Sequence, residues 1–279
     1  MKNRSASEVA MEPLAITTRL GIARLSVVGS GTPTVFWHSL FVDARMWDRL
    51  LPLLPSGRSF WLVEAPSDRV GDIGDCAEVA SEVVERIRRT LGVDSVDWVG
   101  NAWGGHVGMH IAATRPDLVR SLVAISAPTD PIGAGLRWKI RALLPIYRLI
   151  GPRGPINATI EETVFTDASR AHDPYAVDVL RSALRALGRS RVIASIRTAA
   201  LNRTDLTWAA RRLRCPTVFV VTDDRGEWSP ERAQEVAAEM SAVDVVTITG
   251  ARIIPALEQP EALASALTEF WSRAAVAGR

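Results

Sequence analysis

Residues 99–106 read Val-Gly-Asn-Ala-Trp-Gly-Gly-His, a spacing suited to covalent catalysis. Gly100 and Gly104 lie two residues on either side of Ala102. Glycines at these positions permit a sharp turn between a strand and a helix, which holds the central side chain above the strands as an accessible nucleophile. Alanine carries no hydroxyl, thiol or carboxylate. The sequence therefore predicts the turn of a nucleophilic site without its nucleophile.

The elements that must position this turn alternate between strands and helices. Stretches rich in β-branched and aromatic residues predict eight strands, at 15–20, 22–28, 34–38, 59–63, 95–99, 121–125, 218–221 and 243–248. Apolar residues at helical spacing predict helices at 44–54, 77–91, 103–114, 230–240 and 260–273. Such alternation builds a mostly parallel sheet covered by helices on both faces.

Residues 131–205 interrupt this alternation, since they contain helical patterns and no strand pattern. We interpret them as a helical cap inserted after the sixth strand, with residues 13–130 and 206–279 forming the core and residues 1–12 a disordered lead. The segment holds twelve Lys/Arg against six acids. That excess indicates a solvated positive surface or, as the alternative, a site for an anionic ligand or partner.

The motif around Ala102 resembles the nucleophile elbow of the α/β-hydrolase superfamily. The Trp-His-Ser run at 37–39 and the Leu-Glu-Gln-Pro run at 257–260 strengthen this resemblance, which covers nearly the whole chain. It is closest to the capped branch of esterases, lactonases and carbon-carbon bond hydrolases. The resemblance implies an α/β fold: an eight-stranded, mostly parallel sheet flanked by helices, with an inserted helical cap.

The resemblance also implies a histidine base after the last strand and an acid after the seventh. The base position aligns with Ile253, and the last of the chain's four histidines is His172. The acid position falls on one of Asp223, Asp224, Arg225 and Gly226. Because an acid without a histidine has no triad role, we expect a degenerate catalytic triad and no ordinary serine hydrolase activity.

The backbone of an oxyanion hole does not depend on these side chains. The resemblance places its N–H donors at Trp103 and Leu40. We expect a largely apolar ligand pocket under the cap, lined by Trp37, His38, Ser39, Leu40, Ala102, Trp103, Ile253 and Ile254. His38 either ties down its loop or transfers protons. Asp224 is the other candidate for proton transfer.

Composition excludes several classes of partner. The net charge of +2 and the absence of a basic run interleaved with aromatics argue against nucleic acid. The hydrophobic runs are too short to cross a bilayer, so we expect no membrane partner. The first dozen residues lack the apolar core of a signal peptide, which favours a cytoplasmic protein. Cys76 and Cys215 have no nearby histidine, so we expect neither a metal nor another cofactor.

These residues are compatible with three alternative functions. The first is a protein that binds a small apolar molecule carrying a carbonyl or carboxylate without hydrolysing it, as a monomer or a homodimer. The second is a cofactor-free isomerase, cyclase or lyase that uses the oxyanion donors. The third is a hydrolase whose catalytic site is unusual or was engineered away. A laboratory serine-to-alanine substitution would explain Ala102 but not Ile253.

Overall fold

A computed structural model describes residues 14–66, 69–151, 155–225, 228–240 and 243–277. The predicted lead at 1–12 and Gly226 therefore lie outside the described residues. One sheet contains eight strands: β1 (Leu14–Thr18), β2 (Gly21–Gly29), β3 (Thr32–Trp37), β4 (Arg58–Glu64), β5 (Val96–Asn101), β6 (Val119–Ile125), β7 (Thr217–Thr222) and β8 (Val243–Ile248). The predicted fold class is confirmed.

The strand order is β1-β2-β4-β3-β5-β6-β7-β8, with β2 antiparallel to both of its neighbours and all other pairs parallel. After β3 the chain adds β4 on one side of it and then crosses over to add β5 on the other. In open α/β sheets, ligands bind at such a switch point, beyond the carboxyl ends of the two strands. The ends of β3 and β5 therefore mark the place to look for a site.

The burial of the strands follows their position. Every residue of β5 and of β7 is buried, as expected for central parallel strands covered on both faces. In β1 half-buried and exposed residues alternate, as expected for an antiparallel edge strand with one solvated face. Two apolar clusters, one on each face of the sheet, form the core.

Eleven α-helices accompany the sheet within the described residues: α1 (Ile73–Leu91), α2 (Trp103–Thr114), α3 (Ala134–Ile150), α4 (Pro155–Val164), α5 (Asp167–His172), α6 (Pro174–Leu187), α7 (Arg189–Ser195), α8 (Thr207–Ala210), α9 (Pro230–Ala238), α10 (Pro255–Glu258) and α11 (Pro260–Ala277). Gly92 ends α1 with a φ of 67°. That left-handed conformation suits a glycine.

The helix predicted at 44–54 is wrong. Two 3-10 turns replace it, at Ala44–Trp47 and Leu51–Leu53. Pro52 cannot donate the backbone hydrogen bond that a continuous helix would require there. Trp47 and Leu50 are fully buried, so the segment follows the core rather than a helix axis.

Helices α3 to α7 and a π-helical turn at Ile196–Leu201 lie between β6 and β7, within residues 131–205 that were predicted as a cap, and α8 follows this region. An ion pair joins them to the segment after β3: Arg49 Nη2 donates to Asp173 Oδ1 over 2.8 Å. Arg45 Nη2 likewise donates to Ser182 Oγ over 2.5 Å. No helix in the described part of the chain combines the length and apolar character needed to cross a bilayer.

Candidate functional site

Ala102 occupies a strained turn between β5 and α2. Its φ is 47° and its ψ is −106°, a conformation that residues with a Cβ rarely adopt. The Ala102 N–H donates to the Ile125 carbonyl over 2.7 Å, and its carbonyl accepts from the His106 N–H over 3.0 Å. The turn predicted from the glycine spacing is therefore present, although no reactive side chain stands on it.

The flanking glycines are needed for packing, whatever residue stands between them. A Cβ on Gly100 would lie 2.1 Å from the carbonyl oxygen of Gly104. A Cβ on Gly104 would lie 2.2 Å from the carbonyl oxygen of Trp37, at the end of β3. Both distances are impossible, so only glycine allows the three backbones to meet. This contact brings the first turn of α2 against the loop that leaves β3.

A cavity of about 90 Å³ lies beside this contact, at the switch point of the sheet. Five of the residues predicted to bind ligand line it: Trp37, His38, Ser39, Leu40 and Trp103. Helices α6 and α7 and the π-helical turn close the other side through Leu187, Arg191, Ser195 and Ala199. This volume is smaller than the roughly 150 Å³ of a dry cavity that holds benzene, so it sets one aromatic ring as the upper limit for a bound molecule.

The two expected oxyanion donors, Leu40 and Trp103, both belong to residues that line this cavity. Trp103 is the first residue of α2, where a helix leaves its N–H groups without intrahelical acceptors. Leu40 belongs to the loop after β3. Neither N–H donates to another described backbone group. Both can therefore donate to an oxygen of a bound molecule, assisted by the positive end of the α2 dipole.

Three residues predicted to bind ligand do not line the cavity: Ala102, Ile253 and Ile254. Ile254 is only 1% exposed and packs in the core at the start of α10. Ile253 is held by its backbone, since its N–H donates to Val164 O over 3.2 Å and its carbonyl accepts from Asn101 Nδ2 over 2.8 Å. The segment after β8 thus turns into the core instead of toward the cavity.

An ion pair occupies the place where an acid and a base would face each other. Arg252 is only 3% exposed, and its Nη2 lies 3.0 Å from Asp224 Oδ2. The same guanidinium donates to the carbonyl oxygens of Glu162 and Asp224. The other carboxylate oxygen, Asp224 Oδ1, accepts from Arg225 Nε over 3.2 Å. Asp224 therefore neutralises arginines and orients no imidazole.

The other residues considered for the acid position have structural contacts of their own. Asp223 Oδ1 accepts from the Gly250 N–H over 2.9 Å and joins the end of β7 to the turn after β8. Arg225 is exposed, and its Nη2 lies 3.3 Å from Asp167 Oδ1 on α5. None of these contacts reaches the cavity, so this edge of the sheet is structural in its present form.

His38 is the titratable imidazole that lines the cavity. Its Nδ1 donates to the carbonyl oxygen of Ser39 over 2.6 Å, which places the lone pair of a neutral ring on Nε2. Nε2 is buried and makes no hydrogen bond with any described residue. It lies 3.6 Å from Glu64 Oε2, while Glu64 Oε1 accepts from the Ala44 N–H.

Two other titratable groups near the turn are held neutral. Burial lowers the pKa of His106 to about 3, and its Nε2 donates to Pro128 O over 2.9 Å. Burial raises the pKa of the Cys76 thiol to about 11, even though Cys76 lines the cavity beside the Trp103 indole. Neither group is a base or a nucleophile at neutral pH.

Among the residues at or beside the cavity that sequence reasoning missed, four are ionisable: Glu64, Arg69, Cys76 and Arg191. Glu64 could have been found, because Trp37 pairs with Val63 and the next residues of β3 and β4 must then be neighbours. Arg191 was counted only as one of many cations of the predicted cap. The positions of Arg69 and Cys76 depend on how α1 packs, which carries no local sequence signal.

Comparison with known proteins identifies relatives of this fold. The alpha/beta hydrolase family matches residues 34–266. A 2-(acetamidomethylene)succinate hydrolase of Mesorhizobium japonicum is 26% identical over 91% of this chain and 95% of its own length. A thermophilic esterase of Thermogutta terrifontis superposes with a TM-score of 0.80 at 19% identity, covering 95% of this chain and 99% of that one. For the enol-lactonase of Burkholderia xenovorans the TM-score is 0.75 at 17% identity, covering 93% and 100%.

Proposed function

Because this chain belongs to the alpha/beta hydrolase family, we propose that it retains the binding pocket of a hydrolase and binds a small apolar carbonyl or carboxylate compound without hydrolysing it. The observation that carries this proposal is the state of the Ala102 turn. The strained backbone is kept, with a φ of 47°, while the side chain offers nothing that could attack a substrate. Binding can use such a turn, whereas acyl transfer cannot.

The contacts of Asp224 and Ile253 support the same proposal. A hydrolytic triad needs an imidazole between the acid and the nucleophile. Here the candidate acid pairs with buried Arg252, and the position expected for the base is an isoleucine held by backbone hydrogen bonds. A mechanism that needs a base at this edge would have to break a buried ion pair first.

The cavity itself indicates the class of ligand. Its walls include Trp37, Leu40 and Trp103, which suit an apolar ring. The N–H donors of Leu40 and Trp103 suit a carbonyl or carboxylate oxygen. Arg69 and Arg191 also line it, and guanidinium groups pair with carboxylates through two parallel hydrogen bonds. A small aromatic or branched carboxylate satisfies all of these groups together.

A titration with benzoate, benzaldehyde and toluene tests the proposal, with the quenching of tryptophan fluorescence as the signal. We expect benzoate to bind most tightly, benzaldehyde next and toluene most weakly, with the dissociation constant rising about tenfold at each step. The reason is that hydrogen bonds to charged groups are stronger than those between neutral groups. Arg191→Gln should weaken benzoate binding and leave benzaldehyde binding unchanged. Arg185→Gln, on the exposed face of α6, is the matched control.

Two measurements test the absence of hydrolysis. Methyl benzoate should be recovered intact after prolonged incubation, and a fluorophosphonate probe should label no serine. A labelled serine in the cavity, or catalytic release of benzoate, would sink the proposal and return the chain to the hydrolases with an unusual site. Binding of toluene as tight as that of benzoate would leave the pocket but contradict the carbonyl or carboxylate specificity.

A second function is favoured by His38 and Glu64. An imidazole whose buried Nε2 makes no hydrogen bond lies beside a carboxylate, and two residues of the same cavity offer backbone N–H groups. Together these groups could remove a proton next to a carbonyl and stabilise the enolate. Such a cofactor-free isomerase, cyclase or lyase needs no nucleophile at Ala102. Asp224, which the sequence offered as another proton carrier, is excluded from this role by its pair with Arg252.

Hydrogen-deuterium exchange of a bound ketone separates this function from plain binding. Acetone or cyclopentanone in D₂O should exchange its α-protons faster with the protein than without it if the pair is catalytic, as followed by proton NMR. His38→Gln should remove this exchange, and His172→Gln, on exposed α5, should not. If the wild-type protein binds the ketone without accelerating exchange, binding alone remains.

A further inference from the structure

Helix α3 exposes an apolar stripe to solvent. Leu144 and Tyr147 are buried and attach one side of the helix to the protein. The opposite side carries Trp138 and Leu149, which are 72% and 77% exposed, together with Ile146. Exposed aliphatic and indole groups of this size are costly in water when they lie side by side, so such a stripe indicates a contact surface.

Cations border this stripe on both sides. At the angular spacing of a helix, Lys139 lies along one border, and Arg141 and Arg148 lie along the other. Arg141 and Arg148 also surround a shallow cavity of about 350 Å³ with Arg197 from the π-helical turn. Among the described residues, none of these four cations has a carboxylate partner.

Acidic residues are missing from the surrounding sequence. No Asp or Glu occurs between residues 131 and 160. Elsewhere on the surface most arginines pair with carboxylates, as Arg211 does with Glu239 over 2.6 Å. The charge around α3 is therefore uncompensated and of one sign, which attracts an anionic partner.

We propose that the exposed face of α3 binds an anionic lipid surface. A helix with an apolar face that includes Trp and Leu, bordered by Lys and Arg, lies in the plane of a bilayer interface with its apolar side among the acyl chains. The cations then meet the acidic headgroups. The expectation of no membrane partner rested on the lack of a spanning segment, and an interfacial helix needs none.

A second copy of the chain fits this face less well. A two-fold contact through α3 would bring the same patch of each copy together, so Lys139, Arg141 and Arg148 would face identical cations. Nucleic acid offers phosphates for the cations but no apolar medium for Trp138 and Leu149. An anionic bilayer offers partners for both features, since its acyl chains can receive the apolar stripe and its headgroups can pair with the cations on either side.

The position of α3 links this surface to the ligand cavity. Arg189 Nη1, at the start of α7, donates to the carbonyl oxygens of Arg148 and Leu149 over 3.1 Å and holds the end of α3 in place. Helix α7 also supplies Arg191 and Ser195 to the cavity. A bilayer bound by α3 would therefore lie next to the helices that close the cavity.

Vesicle flotation with the full-length protein tests the proposal. We expect the protein to float with phosphatidylcholine vesicles that contain 30% phosphatidylserine and to bind pure phosphatidylcholine vesicles much more weakly. Lys139→Gln and Arg141→Gln should each weaken binding about fivefold, as expected for loss of one cation near an anionic surface. Raising the salt concentration to 0.5 M should weaken the binding of the wild type as well.

The apolar stripe is tested by Trp138→Ala and Leu149→Ala, which should each weaken vesicle binding by about tenfold or more, since an inserted side chain of this size contributes that much. Leu53→Ala, an exposed leucine on the 3-10 turn after β3, is the control and should bind like the wild type. Circular dichroism checks that the variants stay folded. Blue-shifted emission with vesicles, absent in Trp138→Phe, would show the indole entering the bilayer.

Three results would overturn the proposal. One is a failure of the wild type to float with either kind of vesicle. Another is equal binding to anionic and neutral vesicles, which would leave the cations without a role. The third is a dimer at micromolar concentration that Leu149→Ala dissociates while vesicle binding is absent, which would assign the face to a second copy.

Discussion

The two sides of the sheet's carboxyl edge differ in what their residues contact. On the β3–β5 side, the Ala102 turn, the free N–H groups of Leu40 and Trp103 and the ligand cavity are all present. On the β7–β8 side, the acid and base positions hold an Arg252–Asp224 ion pair and a backbone-bound Ile253. One side carries a cavity, and the polar groups of the other are engaged in contacts within the protein.

The difference follows from which atoms each side uses. Oxyanion donors belong to the backbone, so substitution of a side chain does not remove them. A base and its orienting acid are side chains, and a single substitution abolishes the pair. On the β7–β8 side the buried Arg252 pairs with Asp224, and each neutralises the charge of the other.

The largest effect is expected from breaking the ion pair on the β7–β8 side. Asp224→Ala removes the nearer of the two carboxylates beside the buried Arg252 guanidinium and leaves only the exposed Asp167, whose Oδ1 is 3.6 Å away. Removing one partner of a buried pair costs about 3 to 5 kcal/mol of the free energy of unfolding. Because Asp224 is 27% exposed, we expect the lower end of this range. Urea denaturation measures the loss.

Glu239→Ala is the matched control, since its pair with Arg211 is more than half exposed on both sides. Surface pairs contribute less than about 1 kcal/mol. Equal losses in the two variants would mean that the Arg252 pair does not stabilise the fold. The contrast between the two sides of the sheet edge would then be gone.

A smaller effect on the free energy of unfolding, one that depends on pH, is expected from His106 in α2. The folded protein holds the pKa of His106 at about 3, below its ordinary value of 6.5. The unfolded chain therefore binds the proton first as the pH falls, so stability is complete above 6.5 and is lost below it. Between pH 7 and pH 5 the burial of this neutral imidazole should lower the free energy of unfolding by about 2 kcal/mol.

His106→Gln isolates this contribution, because glutamine can donate to Pro128 O but does not titrate. The stability of this variant, measured by urea denaturation at both pH values, should fall less than that of the wild type. An identical pH dependence in the two proteins would show that His106 is not held neutral. Exposed His172→Gln should behave like the wild type.

The strained turn predicts a stabilising substitution. Ala102→Gly should raise the free energy of unfolding by about 1 kcal/mol, because relief of a strained backbone outweighs the extra flexibility of glycine in the unfolded chain. Ala112→Gly, within the same helix α2, should instead lower it by about 1 kcal/mol. If Ala102→Gly destabilised the protein as much, the turn would not be strained.

The smallest effect is expected from restoring the missing groups. Ala102→Ser combined with Ile253→His should hydrolyse p-nitrophenyl acetate less than about tenfold faster than Ala102→Ser alone. The reason is that Asp224 remains paired with Arg252 and cannot orient the new imidazole. A gain of about a hundredfold, the value of a working general base, would show that the β7–β8 side is still competent.

Sequence patterns predicted the strands and the turn well because their causes are local. Alternation and β-branched runs reflect which faces are buried, and the eight predicted strands all exist. The spacing of Gly100 and Gly104 reflects a backbone contact that no other residue allows. The failure at 44–54 has the opposite cause, since its buried Trp47 and Leu50 serve a core that the local pattern does not describe.

Residue types and local spacing were enough to predict the fold class, and to predict that Ala102 and Ile253 stand where a nucleophile and a base would be expected. Packing between distant segments, which local spacing does not report, places Arg252 against Asp224 and Glu64 beside His38, and buries Ile254 in the core. These contacts depend on which strand ends meet, and they decide which side chains surround the Ala102 turn. The backbone of the Ala102 turn was therefore predictable from the sequence, whereas the contacts of Asp224 and Arg252 were not.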